Sequence, residues 1–368
     1  MSRVCQIVFD ESACVVQNSF PALEDMLHYR HRSVDQDTPG RPITTEELCL
    51  FNLLDATPGA RRIQTFQGLK DAIVECCRAH GYQAVEIDVR QPFPAPHFHL
   101  MHGFRFTQQK LVIDALIKNR SGCIAAPTRF GKTTCLINTA RAFPGLKTVV
   151  TAPGIDLLKQ LQDDFVRAFP NRKITGLYTG SKHTIQSEDI TIVSIDSLDK
   201  CDMHGTKLVL IDEPHAAVSE SRAPVLARFI NARKIGFGAT LTGRFDNADI
   251  LIKGCIGPVL SEVTYREARD MGAVAPIKVA FLRRKFDAFN AGHRDVAYNK
   301  LILHNPDFHK FIAQICREAI PPEWQTLIFI KNERQALGIH AEIPDGTIVM
   351  AKRLTTKERL AVTEQVKQ

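Results

Sequence analysis

Ala126-Pro127-Thr128-Arg129-Phe130-Gly131-Lys132-Thr133 is the stretch that decides how this chain folds. Ser121–Ala126 reads as the end of a buried strand and Thr133–Phe143 as a helix. A loop between two such elements turns backbone N–H groups and the positive end of a helix toward an anion. Gly131 lets the backbone come close to phosphates, Lys132 reaches the β and γ phosphates, and the Thr133 hydroxyl suits Mg²⁺. Pro127, Thr128, Arg129, Phe130, Gly131, Lys132, Thr133 and Thr134 are therefore the candidate nucleotide-binding residues. Ala126 stands where the general phosphate-loop pattern has its first glycine.

A second element lies downstream. Thr206–Ile211 (Thr-Lys-Leu-Val-Leu-Ile) is a β-branched and apolar run suited to a central parallel strand. Asp212-Glu213-Pro214-His215 follows it, so two carboxylates fall at the strand's C-terminal end, where open α/β sheets place their ligands. Asp212 is the candidate Mg²⁺ ligand beside Thr133. Glu213 is the candidate to orient and deprotonate an attacking water, because phosphoryl transfer depends on positioning and charge neutralisation. Alone, the tetrapeptide also reads as a solvated acidic turn. Paired with the loop, it points to a nucleoside triphosphate bound with Mg²⁺ and hydrolysed.

With 368 residues the chain has length for two or three domains, each with a core. Hydrophobic content of 44% and charged content of 24% are those of a globular protein and exclude a low-complexity or fibrous one. The formal charge of +7 fits a polyanionic partner. Ten cysteines are scattered with no C-x-x-C pair, which argues against a zinc ribbon or a secreted disulfide framework and for reduced thiols in the cytoplasm. No stretch has the length and apolarity of a membrane span or a signal peptide, so no membrane partner is expected.

Along the chain, Val4–Phe9, Ala13–Val16 and Ala84–Val89 read as strands. Phe20–Tyr29 and Phe66–His80 read as helices, the second ended by Gly81. Asp35–Pro42 is a polar loop. Gln91–His102 carries three prolines and reads as a linker. Its His97, His99 and His102 lack a nearby carboxylate or cysteine to complete a metal site. From Phe104 the pattern alternates in the manner of a parallel sheet. Helices are expected at Thr107–Asn119, Asp156–Phe169 and Ala223–Ile230. Strands are expected at Lys147–Ala152, Ile174–Tyr178, Ile190–Ile195 and Lys234–Ala239. After Pro276 a similar unit is expected, with strands at Ile277–Leu282, Thr326–Ile330 and Thr347–Met350 and helices at Phe308–Ala319 and Thr355–Val366.

These residues together resemble a superfamily 2 DExH helicase, of the kind that includes the phage UvsW-type helicases and the motor subunits of restriction enzymes. The resemblance runs from about Phe104 to the C-terminus. Phe104-Arg105-Phe106-Thr107-Gln108 is similar to the element ahead of the phosphate loop, which implies that Gln108 reads adenine. Pro127-Thr128 with Gly131-Lys132-Thr133 matches the family's Pro-Thr-Gly-x-Gly-Lys-Thr, with Arg129 in place of the middle glycine. Ala152-Pro153 with Leu157 and Gln160, and then Ser194–Leu198, resemble segments that grip a nucleic-acid backbone. Gly238-Ala239-Thr240 resembles the family's Ser-Ala-Thr, which implies that Thr240, with His215, couples hydrolysis to movement. Val263–Pro276, with Tyr265, Glu267-Ala268 and Gly272, resembles the passage between two motor lobes. More loosely, Ile63–Gly68, Leu69–His80 and Ile87–Arg90 resemble the N-terminal DNA-binding module of the UvsW type.

The expected fold is thus α/β: a small α+β nucleic-acid-binding module over 1–98, a RecA-like lobe with the ATP site over 99–264, and a linker with a partial second RecA-like lobe over 265–368. Thr326–Ile330 and Lys357–Arg359 resemble the opening of that second lobe, and no arginine finger follows them. The family implies an ATP-dependent DNA helicase or translocase acting on single-stranded or branched DNA, in the cytoplasm, or the host cytoplasm for a viral chain. An ATP-gated nucleic-acid clamp completed by a second polypeptide, a restriction-complex motor subunit and an RNA helicase stand as alternatives.

Overall fold

The computed structural model describes residues 3–33, 44–57, 60–177, 189–201, 203, 205–219, 221–244, 246–282, 294–321 and 324–345. They form two compact units, one of the residues up to Ser33 together with Thr45–Lys278, and one of the residues from Val279 onward together with Thr44.

The first unit opens with strands β1 (Arg3–Phe9) and β2 (Ala13–Gln17), helix α1 (Pro21–Met26), and strands β3 (His28–Ser33), β4 (Thr44–Cys49), β5 (Phe51–Asp55) and β6 (Arg62–Phe66). Helix α2 (Lys70–Ala79) and β7 (Tyr82–Asp88) complete it. Five of these strands form a mixed sheet in the order β5-β6-β2-β1-β7, and β3 pairs with β4. The helix expected over Phe20–Tyr29 stops at Met26, and His28 begins a strand. Gln91–His102 is irregular apart from a single 3₁₀ turn at Phe98–Leu100, as three prolines without N–H groups dictate.

A seven-stranded sheet follows, built from β8 (Gly122–Ala125), β9 (Thr148–Ala152), β10 (Ile174–Leu177), β11 (Ile190–Ser194), β12 (Leu208–Asp212), β13 (Arg233–Gly238) and β14 (Val259–Glu262). Its order is β10-β11-β9-β12-β13-β8-β14, and every pair is parallel. The helices are α3 (Gln108–Leu116), α4 (Lys132–Arg141), α5 (Ile155–Ala168), α6 (Pro214–Ala217), α7 (Ala223–Ala227), α8 (Asp249–Cys255) and α9 (Tyr265–Asp270). This is a RecA-like lobe.

The central strands are buried along their whole length, which is why they read as largely apolar runs. Their side chains still alternate between faces. Ile124, Val150, Leu208 and Leu210 pack with Leu111, Leu136, Leu158 and Phe165 of α3, α4 and α5. Cys123, Val149, Val209 and Ile211 face the other way, onto Leu226, Leu251 and Ile252 of α7 and α8. The N-terminal sheet shares that second core through Ile7, Val16 and Ile63, and α2 through Ile73.

A buried polar network also joins the two sheets. Lys234, with no exposed surface, donates from Nζ to the Glu11 carbonyl at 2.9 Å and to Ser12 Oγ at 2.7 Å. Ser12 Oγ in turn donates to the Phe229 carbonyl at 2.9 Å. Ser121, just ahead of the phosphate strand, donates to Glu11 Oε2 at 3.0 Å and accepts from the Lys234 N–H at 3.0 Å. Close approach seals the contact, since a Cβ on Gly68 would lie 1.8 Å from the Lys253 carbonyl oxygen.

In the second unit, α10 (Arg294–Tyr298), a π-turn at Asn299–Leu303, α11 (Pro306–Glu318) and α12 (Glu333–Glu342) are formed. Asn305 and Asn332 cap α11 and α12 through their side chains. Gly338 lets α12 close on α11, because a Cβ there would lie 2.2 Å from His309 Nδ1. The strands expected at Ile277–Leu282 and Thr326–Ile330 are irregular, with Phe281 91% and Phe329 88% exposed. A parallel strand exists only through its neighbours, and among the described residues neither segment has one. The elements expected at Thr347–Met350 and Thr355–Val366, the segment Lys357–Arg359, the loop Asp35–Pro42 and Tyr178 lie outside the described residues.

Candidate nucleotide site

The phosphate loop runs from the end of β8 to the start of α4. Gly131, at φ 89°, is the N-cap of α4 and occupies the left-handed region that glycine adopts without strain. Arg129 lies in the same region at φ 66°. That conformation costs an L-residue about 1–2 kcal/mol. Phe130 points inward and is 1% exposed, whereas Thr128 and Arg129 are exposed. Lys132, Thr133 and Thr134 are half-buried in the first turn of α4.

The acidic pair is carried by the end of β12. Asp212 is 7% exposed, and its Oδ1 is buried without a hydrogen-bond partner. Burial, then the neighbouring Glu213 carboxylate, push the Asp212 pKa up to about 6, against the lowering influence of Lys132. Glu213 adopts φ 53°, another left-handed non-glycine position, and its N–H is held by the Phe237 carbonyl at 2.9 Å. That turn brings its carboxylate to Lys132 Nζ at 2.9 Å and to His215 Nδ1 at 3.3 Å. Strain of this kind persists where surrounding structure enforces it, and it clusters at functional sites.

The third component is the end of β13. The Ala126 N–H donates to the Gly238 carbonyl at 3.0 Å, which ties the phosphate loop to the segment ending in Thr240. Pro214 packs on the same strand: a Cβ on Gly236 would lie 2.7 Å from Pro214 Cγ, and one on Gly238 would lie 3.0 Å from Pro214 Cδ. The glycine at 238, where the resembled family has serine, answers to this contact. Thr240 and His215 are both exposed, and the contact made by His215 is to Glu213.

Gln108 begins α3 and is 3% exposed. Its Nε2 donates to the Phe130 carbonyl, and its Oε1 accepts from the Arg105 N–H at 2.8 Å. Gln160 is exposed on α5, and Ser194 is buried, its hydroxyl accepting from the Asp196 N–H at 3.3 Å. The rings of His97 and His99 meet edge to face, and no cluster of three metal-ligating side chains occurs among the described residues. No helix among them is long and apolar enough to cross a membrane.

The structure places Lys132 beside Glu213, with Asp212 next to it at the end of β12. Sequence reasoning missed the network behind them, in which Glu11, Ser12 and Lys234 anchor Ser121 at the root of the phosphate strand. Two cations, Arg233 and Lys234, heading an otherwise apolar strand were the available signal. Arg233 is likewise buried, its guanidinium 3.7 Å from the centre of the Phe93 ring and its Nη2 donating to the Asn119 carbonyl at 3.2 Å.

A parallel sheet with a phosphate loop after one strand and an acidic pair after another defines the class: a P-loop protein whose lobe has the RecA-like fold found in helicases. Residues 104–243 match the family described as type III restriction enzyme, res subunit. That span starts at the Gln108 turn and ends just past Thr240. Among solved structures, the chain is similar to the UvsW helicase from bacteriophage T4, at 16% identity and a TM-score of 0.53, over 71% of this chain and 100% of that one. A second structure of T4 UvsW is similar at 14% identity and a TM-score of 0.52, over 99% of this chain and 78% of that one. At such identities the likeness is one of fold. No curated protein sequence matches the chain.

Proposed function

We propose that this chain is an ATP-dependent nucleic-acid motor of superfamily 2, a translocase or helicase acting on single-stranded or branched DNA. The observation that carries the reading is the 2.9 Å pairing of Lys132 with Glu213, two residues remote in sequence that meet at the C-terminal edge of the sheet. The match of residues 104–243 to a restriction-enzyme subunit and the fold shared with a phage helicase support it. The net charge of +7 suits a polyanionic partner.

In this reading Lys132 leaves Glu213 when phosphate arrives and neutralises the β and γ oxygens. The N–H groups of the loop and of the α4 N-terminus hold the rest of the polyphosphate. Thr133 and Asp212 would hold Mg²⁺, and the buried, unpartnered Oδ1 of Asp212 suits a hard cation. When bound, the metal supplies further neutralisation of phosphate charge. Glu213, freed from Lys132, orients water and accepts its proton. His215 keeps the Glu213 carboxylate in place, and the Ala126–Gly238 and Pro214–Gly236 contacts carry a change at the loop to Thr240. The N-terminal sheet, the lobe and the residues from 265 are proposed as a nucleic-acid-binding module, the motor lobe, and a linker with second-lobe sequence.

Calorimetry of Mg·ATP binding with wild type, Lys132→Ala and Glu213→Gln tests the site. The reading expects binding that Lys132→Ala abolishes and Glu213→Gln retains, with turnover lost in both. Equal binding by wild type and Lys132→Ala would contradict it. DNA affinity should fall linearly on a log–log plot against salt, with a slope set by the phosphates neutralised. A matched RNA strand decides between the two nucleic acids.

A further inference from the structure

The phosphate loop and the acidic pair do not lie on neighbouring strands. The loop follows β8, Asp212 and Glu213 end β12, and β13 runs between the two. The C-terminal end of β13 meets both sides. Its Phe237 carbonyl accepts from the Glu213 N–H at 2.9 Å, and its Gly238 carbonyl accepts from the Ala126 N–H at 3.0 Å. The placing of Lys132 against Glu213 therefore depends on how β8 is seated along β13.

At the opposite end of these strands the seat is made by a side chain. Backbone pairing begins with Gly122 beside Ile235. One residue earlier, the Lys234 N–H donates to Ser121 Oγ at 3.0 Å. A hydroxyl turns about its C–O bond unless its hydrogen has a fixed acceptor. Glu11 is that acceptor, at 3.0 Å from Ser121 Oγ, and the oxygen's lone pairs are left to Lys234. Donation to a carboxylate also strengthens the hydroxyl oxygen as an acceptor.

Glu11 comes from another sheet, in the turn between β1 and β2. Asp10 braces that turn, its Oδ1 accepting from the Ser12 and Ala13 N–H groups at 2.6 Å and 2.7 Å. Ser12 ties the turn to β13 by accepting from Lys234 Nζ at 2.7 Å. Glu11, Ser12, Ser121 and Lys234 are all buried, away from competition with bulk water.

We propose that Glu11 is a positioning residue for ATP hydrolysis: acting through Ser121, it seats β8 on β13 and so aligns the phosphate loop with the carboxylates on β12. The inference rests on the nucleotide site proposed above. From Ser121 to Ala126 the strand spans about 17 Å at the usual rise, so Glu11 acts at a distance and touches no substrate. The loop N–H groups and Lys132 belong to β8 and α4 alone, and they hold polyphosphate whatever the seat. The chemical step needs the acidic pair in register with them, and a misplacement of about 1 Å costs about a hundredfold in rate.

The test compares Glu11→Gln, which keeps an acceptor for Ser121 Oγ, with Glu11→Met, which removes it at similar volume. Steady-state ATP hydrolysis is measured on the full chain. Hydrogen exchange is followed in the nucleotide-free protein at the peptides holding Ala126 and Gly238–Thr240. Glu11→Met should lower kcat by about ten- to a hundredfold while KM stays within about twofold of wild type. Exchange should quicken at both peptides, and Glu11→Gln should restore both readings. A Glu11→Met protein with the kcat of wild type, or one whose loss falls on KM, would overturn the proposal. So would a Glu11→Gln protein as impaired as Glu11→Met. If Glu11→Met does not fold, Ser121→Ala, which removes only the hydroxyl, is read in the same way. Absence of turnover in wild type would contradict the hydrolytic reading of the site. Exchange at Ala126 then decides the role of Glu11, and exchange indifferent to the substitution would overturn that role too.

Discussion

Lys234 gives the most quantitative prediction. It is fully buried at the junction of the two sheets, where burial lowers its pKa from 10.5 to about 8 against the opposing influence of Glu11, Cys255 and Asp10. Its Nζ keeps two acceptors, the Glu11 carbonyl and Ser12 Oγ, which a neutral amine satisfies as well as an ammonium does. Between these two pKa values the unfolded chain holds a proton that the folded chain has released, so raising the pH favours folding. A gap of that size is worth about 3 kcal/mol, absent below the folded value and complete above the unfolded one, with most of it gained by about pH 10. Lys234→Met removes the titration and also the two hydrogen bonds, but the second loss is independent of pH. Urea unfolding of both proteins at about pH 7 and about pH 10 isolates the effect, because other titrating groups cancel in the difference. Wild type should gain roughly 2–3 kcal/mol on the variant over that interval. A difference that stays constant with pH would refute the account of a lysine buried without a charged partner.

Three further substitutions follow from the site. Gly131→Ala places a Cβ at φ 89° and 2.3 Å from Gln108 Nε2, so it should abolish ATP binding by calorimetry while the far-ultraviolet circular dichroism is unchanged. Asp212→Asn removes a buried carboxylate with an unpartnered oxygen. It should raise the thermal midpoint of the nucleotide-free protein by about 1–3 kcal/mol in stability and eliminate any further rise on adding Mg·ATP. Arg129→Gly relieves about 1–2 kcal/mol of left-handed strain, less about 0.5–1 kcal/mol for the freer unfolded chain. A small rise in the thermal midpoint is expected, and a fall would mean that the arginine stabilises the loop by a contact of its own.

The lobe was legible because its strands are covered on both faces. Val149-Val150 and Leu208-Val209-Leu210-Ile211 need apolar residues at every position, and such runs leave little ambiguity. The phosphate loop and the acidic pair were legible because a turn after a buried strand has few other uses for Lys132 or Asp212. Ile277–Leu282 and Thr326–Ile330 carry the same apolar alternation, yet composition cannot supply the neighbouring strand that pairing requires. The strands over 44–66 were missed for the opposite reason, since Thr44–Cys49 and Phe51–Asp55 mix polar and apolar residues, and Glu46, Glu47, Cys49, Asn52, Leu53 and Leu54 lie on the surface. The network of Glu11, Ser12, Ser121 and Lys234 joins residues more than a hundred positions apart, and no local pattern marks such partners. For Gln108, the resemblance identified the residue, while the direction of its amide depends on where Phe130 comes to rest.

The central claim is that Lys132, Asp212 and Glu213 form the hydrolytic centre of a nucleic-acid motor. The most direct measurement is steady-state ATP hydrolysis with and without branched DNA, for wild type, Lys132→Ala and Glu213→Gln. Hydrolysis that DNA stimulates, and that both substitutions abolish without loss of the fold, is the predicted result. Turnover that is indifferent to DNA, or that survives in either variant, would contradict it.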